Sequence, residues 1–435
     1  MRKIWAALAL TFAYAITLAQ AEPQNYKTTV SKFVRLYNQN KADSIFAMFS
    51  PQIKAATTAQ KNKQTFTSLQ SQLGDLKHTT FLKIADNVAT YKADFQKATL
   101  AMKVNLNNAN QLAGLLFDNY QSDATPASTL TKTLAPDPSV IESPVVIKGL
   151  EGQLAGTLSL PKSGAADKMS VVLIVPGSGP MDRNGNSAKL NLQTNSYKLL
   201  ADELGKNGIA CLRYDKRGVG ESKSTTTESQ MRFEDNIEDA IQFINYLHDD
   251  QRFSKIIVLG HSEGSLVGMM AAHDEPVNAF ISVAGAGQPA EKIILEQMKS
   301  QPDYIASGVK TVLDSLRKGK VYDKVDASLY FIVRPSVQPY LMSWCRYDPV
   351  RELHKLKIPI LIVQGNTDLQ VKVDDAEKLK KAKSEAILDV IPDMNHIMKD
   401  APAEKDKNLA TYTSPDLPLK PEFVTAVVDF IKKVK

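Results

Sequence analysis

Five short apolar runs constrain the fold more than any other feature of this 435-residue chain. They are Val171 to Val175, Ala210 to Tyr214, Ile256 to Leu259, Phe280 to Val283 and Ile358 to Val363. Each is near-continuous rather than alternating, the mark of a strand buried on both faces of a parallel sheet. Between them lie stretches with helical spacing, such as Tyr197 to Leu204 and Glu234 to Leu247. Parallel neighbours need long crossover connections, and a helix between strands supplies one. Residues 140–435 are therefore expected to form an α/β domain with helices on both faces of a mostly parallel sheet. Its entry reads as a hairpin, Val145 to Lys148 and Leu154 to Leu160. Residues 288–350 interrupt the alternation with a largely helical pattern that includes Ile293, Ile294, Met298, Val309 and Val312. An insertion there would lie over the carboxyl ends of the strands, where such sheets bind ligands, and act as a lid.

The preceding residues read differently. Tyr26 to Asn38 has helical spacing through Val30, Phe33, Val34 and Tyr37, and Ala59 to Leu73 is a second helical stretch. Four runs of strand length follow: Leu76 to Ile84, Val88 to Gln96, Thr99 to Leu106 and Gln111 to Phe117. Helices followed by consecutive strands predict a small α+β domain with an antiparallel sheet over 22–120. Residues 121–139 are rich in Ser, Thr, Ala and Pro without periodicity, as in a linker.

Residues 1–21 have the order of a secretory signal: Arg2 and Lys3, the apolar stretch Ile4 to Leu18, then Ala19-Gln20-Ala21. The apolar stretch is shorter than the roughly 20 residues a spanning helix needs, so cleavage before Glu22 is expected. The mature chain would then be exported, periplasmic or secreted, with no stable membrane anchor. A net charge of +6 with dispersed basic residues argues against a nucleic-acid surface. Cys211 and Cys345 allow at most one disulfide, and the sequence leaves their pairing open.

The chemistry concentrates at Gly260-His261-Ser262-Glu263-Gly264, which joins an apolar strand to a helix-like run. Glycines two positions either side of a serine let strand and helix pack around a strained turn that exposes the hydroxyl as a nucleophile. A hydroxyl nucleophile needs a base, and an imidazole base needs an orienting carboxylate. Asp368 lies just past the strand ending in Val363, and His396 lies in a loop after Ala386 to Ile391. Both follow the serine in the order Ser, acid, His. Asp374 and Asp393 are the rivals for the acid. His78, His248, His273 and His354 fall in positions that fit a base less well, and the His261 side chain should point away from the nucleophile. The segment Val175 to Pro180 follows the first long strand and reads as an oxyanion loop. Its Ser178 N–H and the N–H of Glu263 would hold the developing charge. Gly177 and Gly179 lack the third glycine of a dinucleotide fingerprint, because position 182 is aspartate. Asp182 to Asn186 reads as a polar turn, without the spaced carboxylates of a metal loop.

Pro176 to Asn186, Arg213 to Gly220, Gly260 to Gly264, Gln364 to Asp368 and His396 together resemble the α/β-hydrolase superfamily. Within it the chain is similar to bacterial esterases related to serine aminopeptidases, over about Val140 to Lys435. The resemblance implies Ser262, Asp368 and His396 as the catalytic triad, Ser178 and Glu263 as oxyanion donors, and neither metal nor organic cofactor. It departs from the family at Pro176-Gly177, where a His-Gly pair is usual. The amino-terminal part, Gln24 to Tyr120, resembles a nuclear-transport-factor-like domain of unknown function found before such hydrolases. The function so implied is cleavage of small carboxylic esters, short-chain ones foremost. A peptidase or amidase with the same triad is the first alternative, for which Glu291, Glu296 and Asp303 are loose candidates to hold an α-amino group. A binding protein on a retired hydrolase fold is the second.

Overall fold

The computed structural model describes residues 21–435 apart from residues 86, 120–133, 135–136, 150–151, 163–167, 302 and 327–328. The signal reading of 1–21 lies outside these except for Ala21, as does most of the linker read over 121–139. The chain divides into two compact units at residues 122 and 123. Among the described residues no helix is long and apolar enough to cross a membrane.

The first unit opens with the helix Gln24–Asn38, which buries Tyr26, Val30, Phe33 and Tyr37 on one face. Two short helices, Ala42–Met48 and Pro51–Ala56, and a longer one, Ala59–Leu73, complete that layer. The strands are β1 (Leu76–Ala85), β2 (Val88–Phe95), β3 (Thr99–Leu106) and β4 (Leu112–Asn119), paired antiparallel in chain order. Burial alternates residue by residue along β2, so its Ala89, Tyr91, Ala93 and Phe95 join the helices in an aromatic-rich core. Removing each large side chain there from water is worth about 1.5–3 kcal/mol. The short helices escape a reading by periodicity because six or seven residues span too few turns to display it.

The second unit is built on a nine-stranded sheet among the described residues. Its strands are β5 (Val140–Gly149), β6 (Gly152–Pro161), β7 (Met169–Val175), β8 (Ala210–Tyr214), β9 (Lys223–Ser224), β10 (Phe253–His261), β11 (Ala279–Val283), β12 (Ile360–Gly365) and β13 (Ile387–Ile391). The order across the sheet is 13-12-11-10-7-8-6-5, with β9 paired to β6. From β13 to β8 every neighbouring pair is parallel, whereas β5 and β6 are antiparallel additions at one edge. The entry hairpin is longer than its apolar pattern suggests, because ladder pairing continues through half-exposed positions from Val140 to Gly149. Apolar side chains from the two faces enter two separate cores, one under the helix Phe233–Asp249 and one under Pro421–Lys433.

Parallel strands end on a common edge, so the loops after β7, β10, β12 and β13 are brought to one side of the sheet. Those loops carry Ser178, Ser262, Asp368 and His396. Between β11 and β12 the chain is helical, with Ala290–Gln297, Asp303–Arg317, Tyr330–Val333, Gln338–Trp344 and Pro349–Lys355. The first four of these helices share an apolar core of their own, including Val309, Val312, Leu313 and Val333, whereas Pro349–Lys355 packs Leu353 into the core of the sheet.

Candidate active site

Strand β10 ends at His261 and the helix Glu263–Ala271 starts two residues later, so Ser262 alone makes the reversal. Its backbone sits at φ 56° and ψ −121°, outside the regions a residue with a Cβ favours. Such a conformation costs on the order of 1–3 kcal/mol and persists only where packing enforces it. The packing is visible at the flanking glycines. A Cβ on Gly260 would lie 2.2 Å from the Gly264 carbonyl oxygen, and one on Gly264 would lie 2.3 Å from that of Val175. The helix thus rests directly on the loop after β7. Gly264→Ala should force these backbones apart, lowering stability by about 1–3 kcal/mol and turnover by about 100-fold. Thermal melting and ester hydrolysis check this, and wild-type values for both would refute the packing account.

Asp368 and His396 come from separate loops and meet. The His396 Nδ1 is 2.8 Å from Asp368 Oδ2, and the carboxylate is inaccessible to solvent. Its other oxygen accepts hydrogen bonds from the Gln370 and Val371 amides at 2.7 and 3.0 Å. Oδ2 also accepts one from Gln364 Nε2 at 3.1 Å. Burial alone would raise the Asp368 pKa, but the His396 imidazole and the two amides outweigh it and hold the carboxyl below its usual range. An ionised acceptor facing Nδ1 places the ring proton on that nitrogen and leaves the Nε2 lone pair outward. The rivals stand elsewhere: Asp374 is exposed in the first turn of Val373–Ala382, and Asp393 is exposed in a turn at φ 55°. His396 is held by its own tight loop, in which Asn395 Oδ1 accepts hydrogen bonds from the Ile397 and Lys399 amides.

The His261 ring reaches the base, with Nε2 2.8 Å from the His396 carbonyl oxygen and the two rings 4.9 Å apart. On its other side Nδ1 is 2.8 Å from the Tyr197 hydroxyl, which accepts a hydrogen bond from the Gly177 amide at 3.0 Å. The hydroxyl, already an acceptor, gives its proton to Nδ1, and Nε2–H donates to His396. Burial, reinforced by His396, pushes the His261 pKa down to about 3, which keeps the ring neutral as this chain requires. The network joins the loop after β7, the end of β10 and the loop after β13. Its members are 64 and 135 residues apart, so no spacing in the sequence could have announced it.

The segment after β7 packs against the nucleophile: a Cβ on Gly177 would lie 3.4 Å from that of Ser262. Gly179 sits at φ 83°, and the Leu190 side chain presses on it, 2.7 Å from where a Cβ would be. Among the described residues the amides of Ser178 and Glu263 donate no hydrogen bond. Asp182 closes the turn predicted for it by accepting hydrogen bonds from the Asn184 and Asn186 amides. Ser262 is half-exposed, and its Oγ makes no hydrogen bond to His396 in this structure; in unliganded sites such contacts commonly tighten only with substrate. Cys211 and Cys345 are both free thiols, each pushed up to about 12 by burial. Glu291, Glu296 and Asp303 do not converge: Glu291 lies near Arg317, Glu296 accepts from Gln288, and Asp303 is exposed.

Residues 190–400 match the family model described as serine aminopeptidase, S33. Residues 30–115 match a family of proteins of unknown function, DUF3887. Esterase EstD from Thermotoga maritima is 26% identical over 379 residues, which are 84% of this chain and 86% of that protein. Among solved structures, Est1E from Butyrivibrio proteoclasticus is 17% identical with a TM-score of 0.43, covering 67% of this chain and 99% of its own. The Pyrococcus furiosus esterase Pf2001 is likewise 17% identical, with a TM-score of 0.44 and coverage of 68% and 92%.

Proposed function

We propose that this chain, an α/β-hydrolase and a carboxylesterase-like enzyme, cleaves its esters through an acyl-enzyme on Ser262, with His396 as base and Asp368 as its orienting acid. The observation that carries the reading is the buried Asp368–His396 pair, 2.8 Å apart and delivered to the edge of the sheet that carries the half-exposed Ser262. In the first half-reaction Ser262 Oγ attacks the ester carbonyl carbon and His396 Nε2 takes the hydroxyl proton. The tetrahedral oxyanion is held by the Ser178 and Glu263 amides, which donate to no acceptor among the described residues. Collapse breaks the bond to the alcohol oxygen, which leaves with the proton from His396. Water then attacks the acyl-serine, His396 takes its proton, and the acid departs as Ser262 regains its hydrogen. The balance needs no metal or redox partner.

Leu190, half-exposed with its side chain against the oxyanion loop at Gly179, is the residue we take to limit the acyl chain to short ones. With p-nitrophenyl esters of two to twelve carbons, the wild type should turn over the short members fastest. Leu190→Ala should shift the optimum toward longer chains, by roughly tenfold in relative kcat/KM for one or two added methylenes. An unchanged profile would remove Leu190 from the acyl site. Aminoacyl p-nitroanilides tested in parallel address the peptidase reading, and their hydrolysis at rates matching the esters would favour it. We also propose export, on the strength of residues 1–21; a mature protein beginning elsewhere than Glu22 would contradict it.

A further inference from the structure

The loop after β8 contributes a charged side chain that the chemistry above does not use. Lys216 Nζ donates to the carbonyl oxygen of Gly177 at 3.2 Å and to Glu263 Oε1 at 2.9 Å. Glu263 is almost wholly buried and Lys216 nearly so. The same Glu263 oxygen accepts a hydrogen bond from the Tyr340 hydroxyl of Gln338–Trp344 at 2.9 Å. The two partners of Lys216 are the two residues whose peptide groups frame the proposed oxyanion hole. Gly177 O belongs to the peptide whose N–H is that of Ser178. Glu263 carries the second N–H on its own backbone.

We propose that Lys216 is a positioning residue for the oxyanion hole, locking the Gly177–Ser178 peptide and the start of the nucleophile helix to one ammonium group. The proposal rests on the assignment of Ser178 and Glu263 as oxyanion donors. In a trans peptide the C=O and N–H point in opposite directions. A cation fixed on the Gly177 oxygen therefore fixes the opposite aim of Ser178 N–H. It also polarises the amide, since hydrogen bonds in a chain strengthen one another, and so makes that N–H a better donor. The preceding peptide is anchored too, because the Gly177 amide donates to the Tyr197 hydroxyl at 3.0 Å. Glu263 gives the arrangement its second purpose. Its carboxylate sits one residue from Ser262, where an unpaired negative charge would oppose the developing oxyanion, and Lys216 cancels it.

The test compares wild type with Lys216→Met, Lys216→Gln and Lys216→Arg in kcat, KM and inhibition by a trifluoromethyl ketone, which forms a tetrahedral adduct with the serine. Lys216→Met and Lys216→Gln should lower kcat by roughly 10- to 100-fold, less than the 100- to 1000-fold typical when a donor is deleted outright. Substrate KM should stay within about twofold, while the ketone loses affinity by the same factor as kcat. Lys216→Arg, which keeps the charge and several donors, should recover most of the loss. A purely structural ion pair would lower melting temperature and active fraction without a matched loss of ketone affinity, and that result would overturn the proposal. So would kcat and ketone affinity within twofold of wild type in Lys216→Gln, should Lys216→Met not fold. Labelling of Ser262 by a fluorophosphonate in wild type separates the two levels. Labelled protein whose variants are unaffected overturns the Lys216 role alone, whereas unlabelled wild type overturns the site assignment beneath it.

Discussion

Replacing Ser262 with alanine should lower kcat on a p-nitrophenyl ester by about a millionfold, leaving only what substrate positioning and the oxyanion donors supply. The same position should behave unusually in stability. Ser262 is held at φ 56° and ψ −121°, a strain worth about 1–3 kcal/mol that alanine shares and glycine does not. Ser262→Gly should therefore be as inactive as Ser262→Ala yet more stable than both it and wild type, by about 1 kcal/mol or more. Denaturant titration of the three proteins decides this. A glycine variant no more stable than the alanine one would mean that the turn is not strained, and residual turnover near wild type would mean that another group is the nucleophile.

Asp368→Asn is the second large effect, with kcat expected to fall by about ten-thousandfold. The carboxylate now accepts from four donors: His396 Nδ1, Gln364 Nε2 and the amides of Gln370 and Val371. Asparagine offers one acceptor oxygen, and the two backbone amides hold it. Its NH2 group then faces both His396 Nδ1 and Gln364 Nε2. His396 can accept that donor only by moving its own proton to Nε2, the atom that must take the serine proton. The variant is thus locked in the wrong tautomer while KM stays near its wild-type value. Stability should change as well, and with a pH signature. A carboxyl whose folded pKa lies below its unfolded value of about 3.9 stabilises the fold above that pH. The contribution disappears as pH falls through the folded pKa. The stability gap between wild type and Asp368→Asn should therefore narrow on acidification below about pH 4. Equal kcat in the two proteins would remove Asp368 from the site, and a gap constant with pH would contradict the ionised, hydrogen-bonded state.

Much of this arrangement was legible in the chain before its structure. The buried strands announce themselves because both their faces are apolar, and glycines 260 and 264 announce the turn because nothing larger fits against the backbones of Gly264 and Val175 respectively. Asp368 and His396 could be picked out because each follows a strand, and loops after parallel strands share an edge. What stayed hidden depends on side chains meeting across the fold. Lys216 lies 47 residues from Glu263, and Tyr340 lies 77 from it, with no periodicity to connect them. His261 was read only as a neighbour of the serine, since its contact with the His396 carbonyl depends on how the β13 loop turns back. The length of β5 and β6 was hidden for a related reason: edge strands pair by backbone, and half-exposed positions such as Ile141 and Val146 carry no consistent pattern.

The central claim, that Ser262 is the nucleophile activated by His396, is tested most directly by covalent capture. Purified protein is treated with a fluorophosphonate, its intact mass and ester turnover are followed together, and the modified peptide is mapped. One phosphonyl group per chain is expected, placed on Ser262, appearing in step with loss of turnover and absent from Ser262→Ala. Folded protein that hydrolyses esters but takes no label, or takes it at another residue, would mean that Ser262 is not the nucleophile.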